Sequence, residues 1–131
     1  MILVDSDVIM DGLANRANAL QTLLDLNAEG LAVSTTSIAE VLEGAYRSSD
    51  PPRQLQTYGR FFSGYSVLDV TAPIADRFAE IRARLRRQGN MIADMDLLIA
   101  ATALVHDLTL LTGNARHFSH VPGLRLHQPA G

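Results

Sequence analysis

Short apolar runs alternate with segments of helical period along almost the whole chain, and no other feature restricts the fold as much. Ile2-Leu3-Val4, Leu31-Ala32-Val33 and Leu108-Thr109-Leu110-Leu111 are brief and bounded by polar residues or glycine. Runs of this kind suit strands buried on both faces. Strands alternating with helices imply an α/β protein whose mostly parallel sheet, of four to five strands, is flanked by helices on both sides.

The expected strands run over 2–5, 31–34, 65–70 and 109–112, with a fifth over 124–126. The expected helices cover 14–27, 37–47, a segment that follows the Ser48–Pro52 loop and runs to about Ser63, 73–88 and 96–106, with a short one starting at Asp7. Ile74, Phe78, Ile81 and Leu85 form one stripe of the long helix, and Gly89 ends it. The last helix is apolar almost all round, which predicts burial.

At 131 residues the chain is expected to be one domain spanning 1–131, burying roughly two-thirds of its unfolded surface. No cysteine is present, so disulfides, thiolate metal sites and a cysteine nucleophile are excluded. All 11 basic residues are arginines, which removes lysine Schiff-base chemistry. A net charge of −3 argues against a broadly basic nucleic-acid coat, though not against a local basic groove. Asp5 and Asp7 interrupt the N-terminus before a signal peptide could form, and no stretch reaches the ~20 residues that span a bilayer. A cytoplasmic protein without a membrane is the expectation.

Ligands of parallel sheets bind at the carboxyl ends of the strands. Asp5 follows the first strand, Glu40 lies early in the helix leaving the second, and Asp94 and Asp96 open the buried helix. That helix returns antiparallel to the next strand, so its start falls near that strand's end, where Gly113 and Asn114 lie. Four distant segments would meet on one rim. Carboxylates gathered there repel one another, and a hard divalent cation is the usual counter-charge.

Each residue also has a structural explanation. Asp7 is a good N-cap, which leaves Asp5 without that job. Ser37 and Glu40 are spaced as a capping box, which accounts for Glu40 without chemistry, so both readings of Glu40 stand. Asp94 suits capping or a supporting contact, and Asp96 the chemistry. Asn114 fits a turn. His117 and His120 read as surface or loop histidines. Arg82, Arg84, Arg86 and Arg87 compensate the helix dipole, with RNA contact as the lesser reading.

Together these segments resemble a PIN domain, and specifically the VapC-type toxins of bacterial type II toxin–antitoxin pairs. The resemblance rests on Asp5 in ILVDSDVIMD, Glu40 in TTSIAEVLEGA, Asp96 in IADMDLLIAATAL and the tail LTLLTGNARHFSHVPGLRL. It implies a three-layer PIN-like fold and a Mg²⁺- or Mn²⁺-dependent endoribonuclease. Asp5, Glu40 and Asp96 would be the metal-binding and catalytic residues, with Asp94, Asn114 and Asp7 in support. Arg82, Arg86 and Arg116 would contact substrate. The implied partners are transfer or ribosomal RNA, a VapB-type antitoxin, and a second copy or higher assembly of the chain. Two departures stand out: Ser6 and Asp7 replace the usual threonine and asparagine, and the fourth acidic position falls on neutral Asn114. Two other readings compete. One is a haloacid-dehalogenase-type phosphatase with Asp5 as nucleophile, and the other is a catalytically degenerate, partner-binding PIN module.

Overall fold

The computed structural model describes residues 1–129. Among them, five strands form one sheet: β1 (Ile2–Val4), β2 (Leu31–Ser34), β3 (Ser66–Leu68), β4 (Thr109–Leu111) and β5 (Leu126–His127). Their order is β3-β2-β1-β4-β5, and every pairing is parallel. Six α-helices connect them: α1 (Ser6–Leu13), α2 (Ala17–Leu26), α3 (Thr35–Tyr46), α4 (Pro51–Phe62), α5 (Ala72–Gln88) and α6 (Asp94–Val105).

From β1 the chain steps outward to β2 and β3, then crosses back over β1 to reach β4 and β5. Parallel crossovers are right-handed. Steps in opposite directions therefore place their helices on opposite faces. Strand side chains alternate between those faces. Ile2, Val4, Leu31, Val33 and Leu111 pack with Val8, Ile9, Leu23 and Val41 of α1, α2 and α3. Leu3, Ala32 and Leu110 pack with Ile81 and Leu85 of α5 and with Leu97 and Ala100 of α6. The result is the three-layer arrangement expected.

Local chemistry sets the boundaries. Gly89 closes α5 in the left-handed region, φ 72°, where a Cβ is unfavourable. Asn15, at φ 59°, follows α1 in the turn that delays α2 until Ala17, three residues later than expected. Helix α1 starts at Ser6 and not at Asp7, because Asp5 takes the N-cap position. The fifth strand is shifted to Leu126–His127. Helix α6 lacks a polar face as expected. Ala100, Ala101 and Ala103 are fully buried, and the Thr102 hydroxyl donates to the Leu98 carbonyl at 2.8 Å. Among the described residues, no helix is long and apolar enough to cross a membrane.

Leu110 lies in β4 beneath α6 and is fully buried. Leu110→Ala is expected to lower the unfolding free energy by about 2–5 kcal/mol, read by urea denaturation, because the surrounding sheet cannot collapse into the void.

Candidate active site at the carboxyl rim

The sheet changes its direction of travel between β1 and β4. Val4 is in register with Leu111, so the next pair in line is Asp5 and Thr112. The Asp5 N–H donates to the Leu111 carbonyl at 2.9 Å, and the Thr112 N–H to the His127 carbonyl at 3.0 Å. These bonds align the two side chains. The Thr112 hydroxyl donates to Asp5 Oδ2 at 2.8 Å, and the Ser6 N–H to Oδ1 at 2.8 Å. Thr112 Oγ1 also accepts the Asn114 N–H at 3.0 Å, so Asn114 supports this corner through its backbone. Asp5 is only 4% exposed. Burial, reinforced by the charge of Asp7, pushes its carboxyl up to about 7, against the pull of the Thr112 and Ser6 bonds.

Asp7 is the second residue of α1, not its cap. Its Oδ1 accepts the Val8 N–H at 2.8 Å, and its Oδ2 accepts the Gly113 N–H at 3.0 Å. It thereby ties the first turn of α1 to the loop after β4. Burial also raises its pKa.

Glu40 does not belong to a capping box. The cap of α3 is Ser34, the last residue of β2, whose hydroxyl oxygen accepts the Ser37 N–H at 3.1 Å. Ser37 is thus inside the first turn and Glu40 a turn further on. Glu40 instead accepts the Ser6 hydroxyl at 3.0 Å. Its pKa is raised chiefly by burial, with repulsion from Asp96 and Asp7 adding to it and the Ser6 bond opposing. Ser6 therefore serves two carboxylates, Asp5 through its N–H and Glu40 through its hydroxyl.

Asp96 stands in the first turn of α6, near enough to repel the charges on Asp5, Asp7 and Glu40. Its Oδ2 lies 3.1 Å from His117 Nε2. Asp94 is paired instead with Arg82, whose Nε donates at 2.9 Å, and the α6 cap position is Ala93, which makes no side-chain capping bond. Asp94 is therefore not a cap, and Arg82 is held by an acid and is not simply a dipole-compensating cation. Arg86 lines an open groove on α5 with Phe78 and Arg82, and Arg116 is exposed in the 3-10 segment Ala115–Phe118. Asp5, Asp7, Glu40 and Asp96 thus share one rim. Among the described residues, no three carboxylate or imidazole groups stand close enough together to hold a metal ion directly.

Sequence reasoning missed Ser6, Thr112 and His117. Thr112 was recoverable, since it follows β4 as Asp5 follows β1 and parallel neighbours align. Nothing in the spacing of His117 pointed to Asp96.

A family model of the PIN domain matches residues 2–124. A Shigella flexneri protein named tRNA(fMet)-specific endonuclease VapC is 32% identical over 123 residues, covering 94% of this chain and 93% of its own. A Mycobacterium tuberculosis protein named Ribonuclease VapC10 is 39% identical over 119 residues, covering 90% of this chain and 86% of its own. The Rickettsia felis VapBC2 structure, bound to a DNA fragment from its promoter, superposes with TM-score 0.92 at 25% identity, covering 99% of this chain and 100% of that one. DNA-bound VapBC from Salmonella typhimurium gives TM-score 0.90 at 28% identity, covering 98% of each chain. These matches do not favour the phosphatase reading or the degenerate-module reading.

Two outcomes follow from the geometry. A carboxyl raised in the fold binds its proton more tightly folded than unfolded, so its contribution to stability is complete below about pH 4. It is lost as pH climbs through about 7. Asp5→Asn is therefore expected to be more stable than the parent at pH 8 in chelator, by up to a few kcal/mol, with the difference vanishing towards pH 4. Parallel thermal-melt profiles across that range would contradict it. Separately, Ser34→Ala should cost about 0.5–2 kcal/mol as the true α3 cap, while Glu40→Gln should cost no capping energy. Urea midpoints distinguish the two.

Proposed function

The chain belongs to the PIN domain family and, within it, to the VapC ribonucleases; on that premise we propose that it is a divalent-cation-dependent endoribonuclease, the toxin of a type II toxin–antitoxin pair. The observation that carries the cation dependence is Asp5. Its carboxylate is buried at a strand end, held by two neutral donors, and crowded by the charges of Asp7 and Asp96. No arrangement of neutral donors cancels that charge, whereas a cation would. We assign Asp5, Glu40 and Asp96 as the residues that hold Mg²⁺ or Mn²⁺. Since no three such side chains among the described residues stand close enough to hold an ion directly, an ion there would be held in part through its own water shell, which Mg²⁺ gives up reluctantly.

When bound, the ion supplies positive charge for the scissile phosphate and lowers the pKa of water. The chain's own residues do the rest. Ser6 and Thr112 fix Asp5, so its oxygens cannot swing away from the rim. Ser6 also aims Glu40, and Asp7 locks the β4 loop through Gly113. Cleavage is hydrolysis at phosphorus with departure of the 3′ oxygen, and it uses no protein nucleophile. Arg116 and Arg86 are the candidate phosphate contacts, while Arg82 is held by Asp94.

The Shigella relative is named for tRNA(fMet), so transfer RNA is the first substrate to test. The structural neighbours are VapBC complexes, and the partner we propose is a VapB-type antitoxin that covers the rim. Assembly with a second copy belongs to the same reading.

Purified chain freed of antitoxin should cleave transfer RNA with Mg²⁺ and stop in EDTA. Asp5→Ala, Asp96→Ala and Glu40→Gln should each lose roughly 100-fold or more in rate with unchanged circular dichroism, at or beyond the usual cost of losing a partner of a metal ligand. Undiminished cleavage in EDTA, or by folded Glu40→Gln, would overturn the cation mechanism.

A further inference from the structure

We propose that Asp94 is a positioning residue for Arg82: it holds the guanidinium by Nε and presents the two terminal amino groups to an RNA phosphate that flanks the scissile one. This inference rests on the ribonuclease reading above. It goes beyond it by giving a task to the acid beside Asp96 and by adding Arg82 to the phosphate contacts.

The contact between the two residues is one-sided. Arg82 Nε donates to Asp94 Oδ1 at 2.9 Å. A guanidinium carries its N–H donors in one rigid plane. Nε uses one of them, and among the described residues those on Nη1 and Nη2 have no partner. A plane fixed at one edge and free at the other is prepared for the paired donation that a phosphate accepts.

Stability does not account for the pair. The two side chains are 33% and 60% exposed, and ion pairs this open to water stabilise a fold little. What the pair fixes is direction. Arg82 is half-buried, whereas Arg86 and Arg87 of the same groove are exposed. Its side chain is therefore partly ordered before any anion arrives, and less freedom is lost on binding.

Place decides which anion is met. Asp94 and Asp96 share the first turn of α6. At 3.6 residues per turn, positions two apart project to nearly opposite sides of a helix. Asp96 is on the side of the other rim acids, and Asp94 is on the side of α5. A strand with one phosphate at the rim that passes over the start of α6 meets Arg82 next. Beyond it, exposed Ala79 and Ala83 leave an open groove along α5, with Phe78, Arg86 and Arg87 beside them. Neither Arg86 nor Arg87 is ion-paired among the described residues, so the groove stays positive although Asp94 neutralises Arg82. The same fork fits a carboxylate, but the ribonuclease reading brings a phosphate to the far side of the same helix turn.

The test is fluorescence anisotropy of labelled transfer RNA with the full chain freed of antitoxin, in EDTA and over a range of salt. Arg82→Gln should weaken binding about 10-fold at low salt. It should also flatten the plot of log affinity against log salt by about 0.7–0.9, the share of one phosphate contact. Asp94→Ala removes a negative charge beside the RNA, so charge alone predicts tighter binding. Loss of positioning predicts the opposite, and weaker binding is the expected result. Asp94→Asn, whose Oδ1 still accepts from Nε, should bind at least as tightly as the parent. With Mg²⁺, Arg82→Gln should raise KM and leave kcat unchanged, as removal of uniform binding does. Tighter binding by Asp94→Ala, or parental affinity and slope in Arg82→Gln, would overturn this inference, while Mg²⁺-dependent cleavage by the parent keeps the ribonuclease reading. Loss of polyglutamate binding in Arg82→Gln with RNA affinity unchanged would assign the groove to an acidic segment of a protein partner, which also overturns it. A parent that neither binds nor cleaves transfer RNA would overturn both.

Discussion

Asp5, the most buried acid of the rim, is tied across the β1–β4 seam by one hydrogen bond, from the Thr112 hydroxyl. The seam exists because the chain reverses its direction across the sheet there, the point at which parallel sheets place their ligand sites. The bond exists because register aligns the two residues that follow Val4 and Leu111. Its character matters as much as its position. A guanidinium in place of Thr112 would hold Asp5 equally well but would neutralise it and lower its pKa. A hydroxyl fixes the carboxylate and leaves its charge unspent. Arg82 is paired with Asp94, two residues before Asp96.

The rim and the core beneath it work against each other energetically. Two apolar clusters, one on each face, stabilise the sheet. On top of them, burial raises the pKa of Asp5, Asp7 and Glu40, so each is ionised at a cost in the ion-free protein. Proteins tolerate strained sites of this kind when the scaffold has stability to spare. Here the scaffold under the site is dense. Leu3, Leu97 and Leu110 are fully buried just below it.

Much of this was legible in the chain. Strand β2 and the end of α5 were readable to the residue, because Gly30 and Gly89 mark their limits and apolar period fills the rest. That Asp5, Glu40 and Asp96 would fall on one rim was readable from the alternation of strands and helices, which puts all the strand ends of a parallel sheet on one edge. The α3 cap was misread because Ser34 and Ser37 both satisfy the local pattern. Only the strand's end, which hands the cap to Ser34, separates them. The Asp94–Arg82 pair and the Asp96–His117 contact were not readable. Both join elements whose approach is set by helix packing, and spacing along the chain carries no trace of that. Ser6 was passed over because its two roles appear only when β1 and α3 are side by side.

Gly113 gives a last consequence. A Cβ there would stand 2.9 Å from Asp7 Oδ2, inside contact distance, and the Gly113 N–H is bonded to that same oxygen. The acid at position 7 and the bare backbone at position 113 are thus one steric unit, though 106 residues separate them. A side chain gained at 113 would have to displace the Asp7 carboxyl, at the cost of the bond that ties the first turn of α1 to the loop after β4, while the backbone itself could stay in place.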